Sequence, residues 1–163
     1  MKNYLSAILK EINLFLFDLD GVLVHNNILT DEQIYEFINE IKNFSKELSR
    51  LGLSFGIVTA RNEDQLIIAL SKIENIIVIS STLEKVKAVD ELLSKLSLNY
   101  KNVFYAGDEV LDLPLLSKVG LPATTYRAKR EVKRSVKYVF KGSNISSILS
   151  ELLVLIKNLS NSK

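Results

Sequence analysis

Short apolar runs alternate with helical periods along nearly all of this 163-residue chain, and no other feature restricts its fold so far. Leu14-Phe15-Leu16-Phe17 comes first, followed by runs at Leu53–Val58, Ile76–Ile79 and Asn102–Ala106. They are too short for helices and too evenly apolar for half-exposed strands, which is the pattern of strands buried on both faces of a parallel sheet. Between them, Asp31 to Leu51 carries Ile34, Phe37, Ile38, Ile41, Phe44, Leu48 and Leu51 at helical spacing. Thr30 or Asp31 can cap its start and Gly52 sits just past its end. Glu63–Ile73 and Leu83–Leu98 read as helices, the second with Val86, Val89, Leu92, Leu93 and Leu96 turned inward. Beyond the fourth run come a helix with Leu115, Leu116 and Val119 and with Pro114 in its first turn, a strand near Pro122–Thr125 and a basic helical turn. A strand near Tyr138–Phe140 and a closing helix from about Ser143 to Leu159 complete the chain. No Pro/Gly/Ser linker, repeat or low-complexity block intervenes, so the expectation is one α/β domain over residues 1–163, a parallel sheet covered by helices on both faces.

Composition removes several function classes. Cysteine is absent, which excludes disulfides, thiol catalysis and cysteine metal sites, and the sole histidine, His25, excludes a multi-histidine zinc centre. A net charge of +2 makes no global electrostatic case for nucleic acid or membrane. No apolar stretch approaches the roughly 18–20 residues that span a bilayer. Lys10-Glu11 falls where a signal peptide would stay apolar, so the N-terminus reads as a short amphipathic helix on a cytoplasmic protein.

The strand ends carry the chemistry. The first run passes directly into Asp18-Leu19-Asp20-Gly21, and strand alternation turns both carboxylates to one side at the edge where open α/β sheets place ligands. Alone, the motif also fits a strand ending in a polar turn. The second run ends in Thr59-Ala60-Arg61 before a helix, a ready anion cradle as well as an ordinary helix entry. The fourth ends in Gly107-Asp108-Glu109 with Asp112 following, more carboxylates than a helix cap requires. With Asp18 and Asp20 these form an acidic cup that suits a hard divalent ion such as Mg2+. Lys85 or Lys87, opening the third-to-fourth-strand helix, would offset charge on nucleophile and substrate.

In this order the four segments resemble the haloacid dehalogenase superfamily of phosphohydrolases, across nearly the whole chain. The resemblance implies a three-layer Rossmann-like fold and a Mg2+-dependent phosphomonoesterase. Asp18 would be the nucleophile that forms an aspartyl-phosphate, and Asp20 the acid and base that protonates the leaving alcohol and then activates water. Thr59, with Ala60 and Arg61, would bind the phosphoryl oxygens. Lys85, preferred to Lys87 for the helix pattern that follows it, would neutralise charge. The carboxylates of Asp18 and Asp108 and the main-chain carbonyl of Asp20 would hold magnesium, with Asp112 and Glu109 behind them orienting metal waters or Lys85.

Only residues 21–58 separate Asp20 from Thr59 and only residues 60–84 separate Thr59 from Lys85, leaving no room for a cap domain at either usual insertion point. The site is then open, or covered by a neighbouring subunit of a homo-oligomer. Tyr105-Ala106-Gly107-Asp108 through Leu121-Pro122 resembles the capless group that includes 3-deoxy-D-manno-octulosonate 8-phosphate phosphatases. That points to a small phosphorylated metabolite, a sugar-acid phosphate first. Three departures bear on substrate. Glu109 replaces an aspartate, the projecting hairpin is reduced to Asn26-Asn27-Ile28-Leu29-Thr30, and the C-terminal glycine-rich stretch to Lys141-Gly142-Ser143-Asn144. A catalytically weak module serving assembly and a nucleic-acid or nucleotide phosphatase are the alternatives. The second would use the basic cluster Lys129, Arg130, Lys133, Arg134 and Lys137, which otherwise reads as a solvated face. His25 lies near enough to Asp20 to reach substrate, although a lone loop histidine is usually incidental. The apolar face Ile145, Ile148, Leu149, Leu152, Leu153 and Ile156 reads as core that can double as a subunit interface.

Overall fold

The computed structural model describes residues 2–25 and 29–160. Six parallel strands form one sheet in the order β3-β2-β1-β4-β5-β6, with β1 at Leu14–Phe17, β2 at Ser54–Val58, β3 at Ile76–Ile79, β4 at Val103–Ala106, β5 at Leu121–Thr125 and β6 at Tyr138–Phe140. The helices are α1 (Lys2–Leu9), α2 (Asp31–Arg50), α3 (Gln65–Ser71), α4 (Lys85–Leu96), α5 (Leu113–Leu116), α6 (Arg130–Ser135) and α7 (Ile145–Ser160). The expected α/β architecture is therefore present, and among the described residues no cap domain stands between the strands.

Alternation sorts each central strand between two cores. Phe15 and Phe17 of β1, with Phe104 of β4, pack beneath α2, α3 and α7, where Phe44, Phe55 and Phe140 complete an aromatic cluster. Leu14 and Leu16, with Val103 and Tyr105, face the second core under α4, α5 and α6. Strands buried on both faces explain why the runs lack polar alternation. α7 contributes Ile148, Leu149, Leu152 and Ile156 to the first core, as its apolar face requires.

Helix limits follow local chemistry. Thr30 caps α2 through a reciprocal pair, its hydroxyl accepting from the Gln33 amide at 3.2 Å while the Gln33 side chain accepts from the Thr30 amide at 2.9 Å. Gly52 takes a positive φ of 72° just beyond α2. α3 starts later than the apolar pattern indicates, because Asp64 caps it by accepting from the Ile67 amide at 3.0 Å. α4 spans less than Leu83–Leu98, ending at Leu96 where Ser97 turns left-handed, so Leu96 is 39% exposed rather than inward. Leu51 is likewise exposed, as the residue ending α2.

β1 lies at the centre. The chain fills β2 and β3 on one side, then crosses to β4, β5 and β6 on the other. That reversal leaves a crevice beside the carboxyl end of β1, the position at which open α/β sheets bind ligands.

Candidate active site

The crevice holds a buried acidic network. Asp18 directly follows β1, its amide donating to the Ala106 carbonyl at 2.8 Å, so the β1–β4 pairing fixes its backbone. Lys85, the first residue of α4, is 6% exposed and pairs with Asp18 Oδ2 at 2.9 Å and Asp112 Oδ1 at 2.7 Å. Asp112 Oδ1 also accepts from the Tyr105 hydroxyl at 2.6 Å, and Oδ2 accepts from the amides of Asp108 and Glu109 at 3.0 and 3.1 Å. Lys85 Nζ donates to the Tyr105 hydroxyl at 3.1 Å.

Charge does not balance here. Carboxylate oxygens of Asp18, Asp108 and Asp112 lie within 4.8 Å of one another against a single lysine. Burial, with repulsion from Asp112 opposing the attraction of Lys85, raises Asp18 to about 6. Burial followed by the charges of Asp18, Asp112 and Glu109 raises Asp108 to about 7. Burial works against the Lys85 ammonium, yet Asp18 and Asp112 outweigh it and hold its pKa above the ordinary value. Burial and the neighbouring Asp112 push Tyr105 well up, keeping it a neutral donor. Asp108 Oδ1 is buried without a hydrogen-bond partner among the described residues. An orphaned oxygen in an over-acidic pocket of hard donors fits a divalent cation. Two glycines make room. Gly21, at φ 83°, leaves space that a side chain would take from the Asp108 carboxylate, and a Cβ on Gly107 would approach Asp112 to 2.6 Å.

A second network lies at the rim. After Asp18 the chain turns rather than extending, with the Leu23 and Val24 amides both donating to the Leu19 carbonyl at 3.0 and 2.9 Å. Asp20 is carried out of the acidic cluster, and its Oδ1 accepts from Arg61 Nη1 at 2.7 Å. Arg61 Nε donates to Asp64 Oδ2 at 2.7 Å. Thr59 is buried at the end of β2, its hydroxyl accepting from the Arg61 amide at 3.1 Å, while Ala60 beside it is exposed.

A family model for haloacid dehalogenase-like hydrolases matches residues 63–152, more than half of the chain. The chain belongs to that family. The matched stretch includes Lys85, Asp108 and Asp112 but not Asp18. The solved 3-deoxy-D-manno-octulosonate 8-phosphate phosphatase of Moraxella catarrhalis, held with magnesium, phosphate and a KDO molecule, superposes with a TM-score of 0.83 at 21% identity, covering 98% of this chain and 93% of that one. The cobalt-bound deoxy-D-mannose-octulosonate 8-phosphate phosphatase of Haemophilus influenzae gives 0.79 at 20% identity, over 94% and 92%. A subfamily III A hydrolase structure from Legionella pneumophila, itself of tentative assignment, gives 0.83 at 23%, over 98% and 89%. At such identities these likenesses speak for the fold of this hydrolase.

The structure brings Asp18, Lys85, Asp108 and Asp112 together and separates Asp20 from them, against the expectation that both motif carboxylates share one cup. Lys85 enters the cluster and Lys87 stays exposed. Glu109 faces outward and pairs with Lys129, so its carboxylate stands apart from the other three. The basic cluster is partly engaged in local contacts, Lys133 and Lys137 each donating to a main-chain carbonyl at 3.1 Å. His25 is exposed beside a cavity of ≈ 600 Å³ that Gln33, Glu36 and Asn144 also line, and burial and Arg127 lower its pKa. Asn26, Asn27 and Ile28 of the reduced hairpin lie outside the described residues. At the C-terminal stretch, the Lys141 and Gly142 amides both donate to Glu151 at 3.0 Å, folding that turn onto α7. No described helix is long and apolar enough to cross a membrane. Two site residues escaped sequence reasoning. Tyr105 read as one more apolar strand residue, although alternation from Val103 already places it on the Asp18 side. Asp64 read as part of a helix start, and only its spacing from Arg61 hinted at more.

Proposed function

We propose that this hydrolase is a magnesium-dependent phosphomonoesterase that works through an aspartyl-phosphate at Asp18, with residues 1–163 as one catalytic domain. The observation that carries the proposal is Asp18 itself. It is a carboxylate fixed at the sheet's switch point, 2.9 Å from a buried lysine and beside the orphaned Asp108 oxygen. Asp18 attacks phosphorus, forming the acyl-phosphate bond as the ester oxygen departs. Asp20 gives that oxygen its proton, then takes one from the water that hydrolyses the intermediate, returning free Asp18 and inorganic phosphate. The Thr59 hydroxyl, whose oxygen accepts from the Arg61 amide, keeps its own proton to donate to a phosphoryl oxygen, and the Lys85 ammonium offsets charge developing there.

Asp18 and Asp108, with the Asp20 carbonyl, would hold the ion. Asp112 lies within reach of it, but its oxygens are taken by Lys85, Tyr105 and two amides, so it serves to orient the others. When bound, the ion supplies Lewis-acid polarisation and screens an anionic nucleophile from an anionic substrate. The site accepts a small phosphorylated metabolite, and a sugar-acid phosphate such as 3-deoxy-D-manno-octulosonate 8-phosphate is the first candidate, supported by the ligands of the Moraxella catarrhalis structure. Phosphate release from a phosphorylated-metabolite panel with Mg2+ tests this. Turnover should be magnesium-dependent, highest on sugar-acid phosphates and abolished by Asp18→Asn. Absence of turnover on every ester, or full activity of Asp18→Asn, would overturn it.

A further inference from the structure

Arg61 is not a free anion hook in this chain. Its Nε–H and an Nη1–H are committed to Asp64 and Asp20, both at 2.7 Å, and its side chain is only 15% exposed. Its backbone is also pinned, the amide donating to Thr59 Oγ1 at 3.1 Å and the carbonyl accepting from the Ser81 amide at 2.9 Å. Asp64 is held in turn, its Oδ1 accepting from the Ile67 amide at 3.0 Å where α3 begins. A continuous set of hydrogen bonds therefore runs from the start of α3 through Asp64 and Arg61 to Asp20. Asp20 needs such support. Its side chain is 42% exposed on a one-turn loop, and an exposed carboxylate left to itself samples several rotamers. The salt bridge engages Oδ1, which leaves Oδ2 for proton transfer.

We propose that Asp64 is a positioning residue, which through Arg61 aims the Asp20 carboxylate at the leaving-group oxygen. The assignment rests on the phosphomonoesterase function above, and it adds a residue three positions beyond the strand-end motif. Proton transfer depends steeply on placement, and a displacement of about 1 Å can cost on the order of a hundredfold in rate.

Asp64→Asn separates this role from helix capping. Asparagine caps as well as aspartate and keeps an oxygen for the Ile67 amide. Its amide nitrogen, facing Arg61 Nε–H, meets a donor with a donor. The magnesium-loaded enzyme is assayed by kcat/KM, which reports phosphoryl transfer to Asp18, on an alkyl phosphate and on p-nitrophenyl phosphate. The alkyl ester needs its leaving oxygen protonated and the nitrophenyl ester hardly does. Asp64→Asn should lower kcat/KM on the alkyl ester by roughly tenfold or more while changing the nitrophenyl ester little, with Tm near that of the parent. In an Arg61→Ala background it should have no further effect, because it acts only through that arginine. An unchanged ratio between the two esters, or losses that multiply in the double variant, would overturn the proposal. Should Asp64→Asn fail to fold, Arg61→Lys is measured instead. It keeps the charge but does not bridge two carboxylates, so the same ratio shift is expected and an unchanged ratio again overturns the proposal. Loss of turnover in Asp18→Asn alongside an unchanged ratio would leave the phosphatase function standing and remove this inference alone.

Discussion

The side chain of Asp18 is 10% exposed and shares Lys85 with Asp112, beside Asp108, whereas the side chain of Asp20, two residues on, is 42% exposed and shares an arginine with Asp64. The same residue type meets different surroundings because the chain turns between them. Asp18 is held by strand pairing against a buried core, where negative charge accumulates until a cation is welcome. Asp20 sits on a turn at the rim, where one guanidinium pairs with it and the rest of its side chain is open to solvent. On the proposed mechanism these divergent surroundings would divide nucleophile from acid and base, a separation that environment alone can produce.

The contrast breaks most sharply at Lys85. Lys85→Met leaves Asp18 and Asp112 buried without their cation. Removing one partner of a buried pair should destabilise the protein by about 3–5 kcal/mol in urea unfolding, with loss of turnover. Arg61→Met at the rim should cost less, about 1 kcal/mol, because the side chains of both its carboxylate partners are more than a third exposed and solvent screens them. Equal losses would mean that the two networks are not buried differently in solution. Tyr105→Phe makes a smaller cut in the buried network, deleting the hydroxyl that donates to Asp112 at 2.6 Å. A hydrogen bond to a charged group is worth about 1.5–3 kcal/mol, and urea unfolding reads it directly.

The remaining effect is a slope in pH. Asp18 and Asp108 have folded values of about 6 and about 7 against an ordinary 3.8, so their protonated forms stabilise the metal-free fold. That contribution is fully present below the unfolded value and is lost as pH rises through the folded one, at most about 1.4 kcal/mol per pH unit for each group. Metal-free Tm should therefore fall from pH 5 to pH 8 more steeply than in Asp108→Asn, and saturating Mg2+ should flatten the difference. Parallel curves with and without the ion would contradict the excess charge assigned to the crevice.

Much of the molecule is legible in the chain because its strands are buried on both faces. Runs such as Leu14–Phe17 carry no competing signal, and four strand-end motifs in order leave few alternatives for what meets at the crevice. The helix limits were harder, since caps outrank apolar spacing. Asp64 starts α3 and Ser97 ends α4 inside segments whose pattern runs on, which is why Leu96 was misplaced. Alternation also failed for Asp20. It assumes that the strand continues, and nothing in Asp18-Leu19-Asp20-Gly21 except the glycine signals a turn. Tyr105 and Asp64 contribute through hydrogen bonds to residues 7 and 3 positions away, and such pairings exist only once β4, α3 and the loops are placed.

The central claim is that Asp18 carries the phosphoryl group, and trapping the intermediate tests it most directly. Turnover of a substrate ester with Mg2+ is quenched in acid and reduced with borohydride, which converts an aspartyl-phosphate into homoserine, and the peptides are sequenced by mass spectrometry. Homoserine at position 18, absent when the ester is omitted, is the predicted result. Active turnover with homoserine at another aspartate, or with Asp18 unchanged while phosphate is released in a matched burst, would contradict the account.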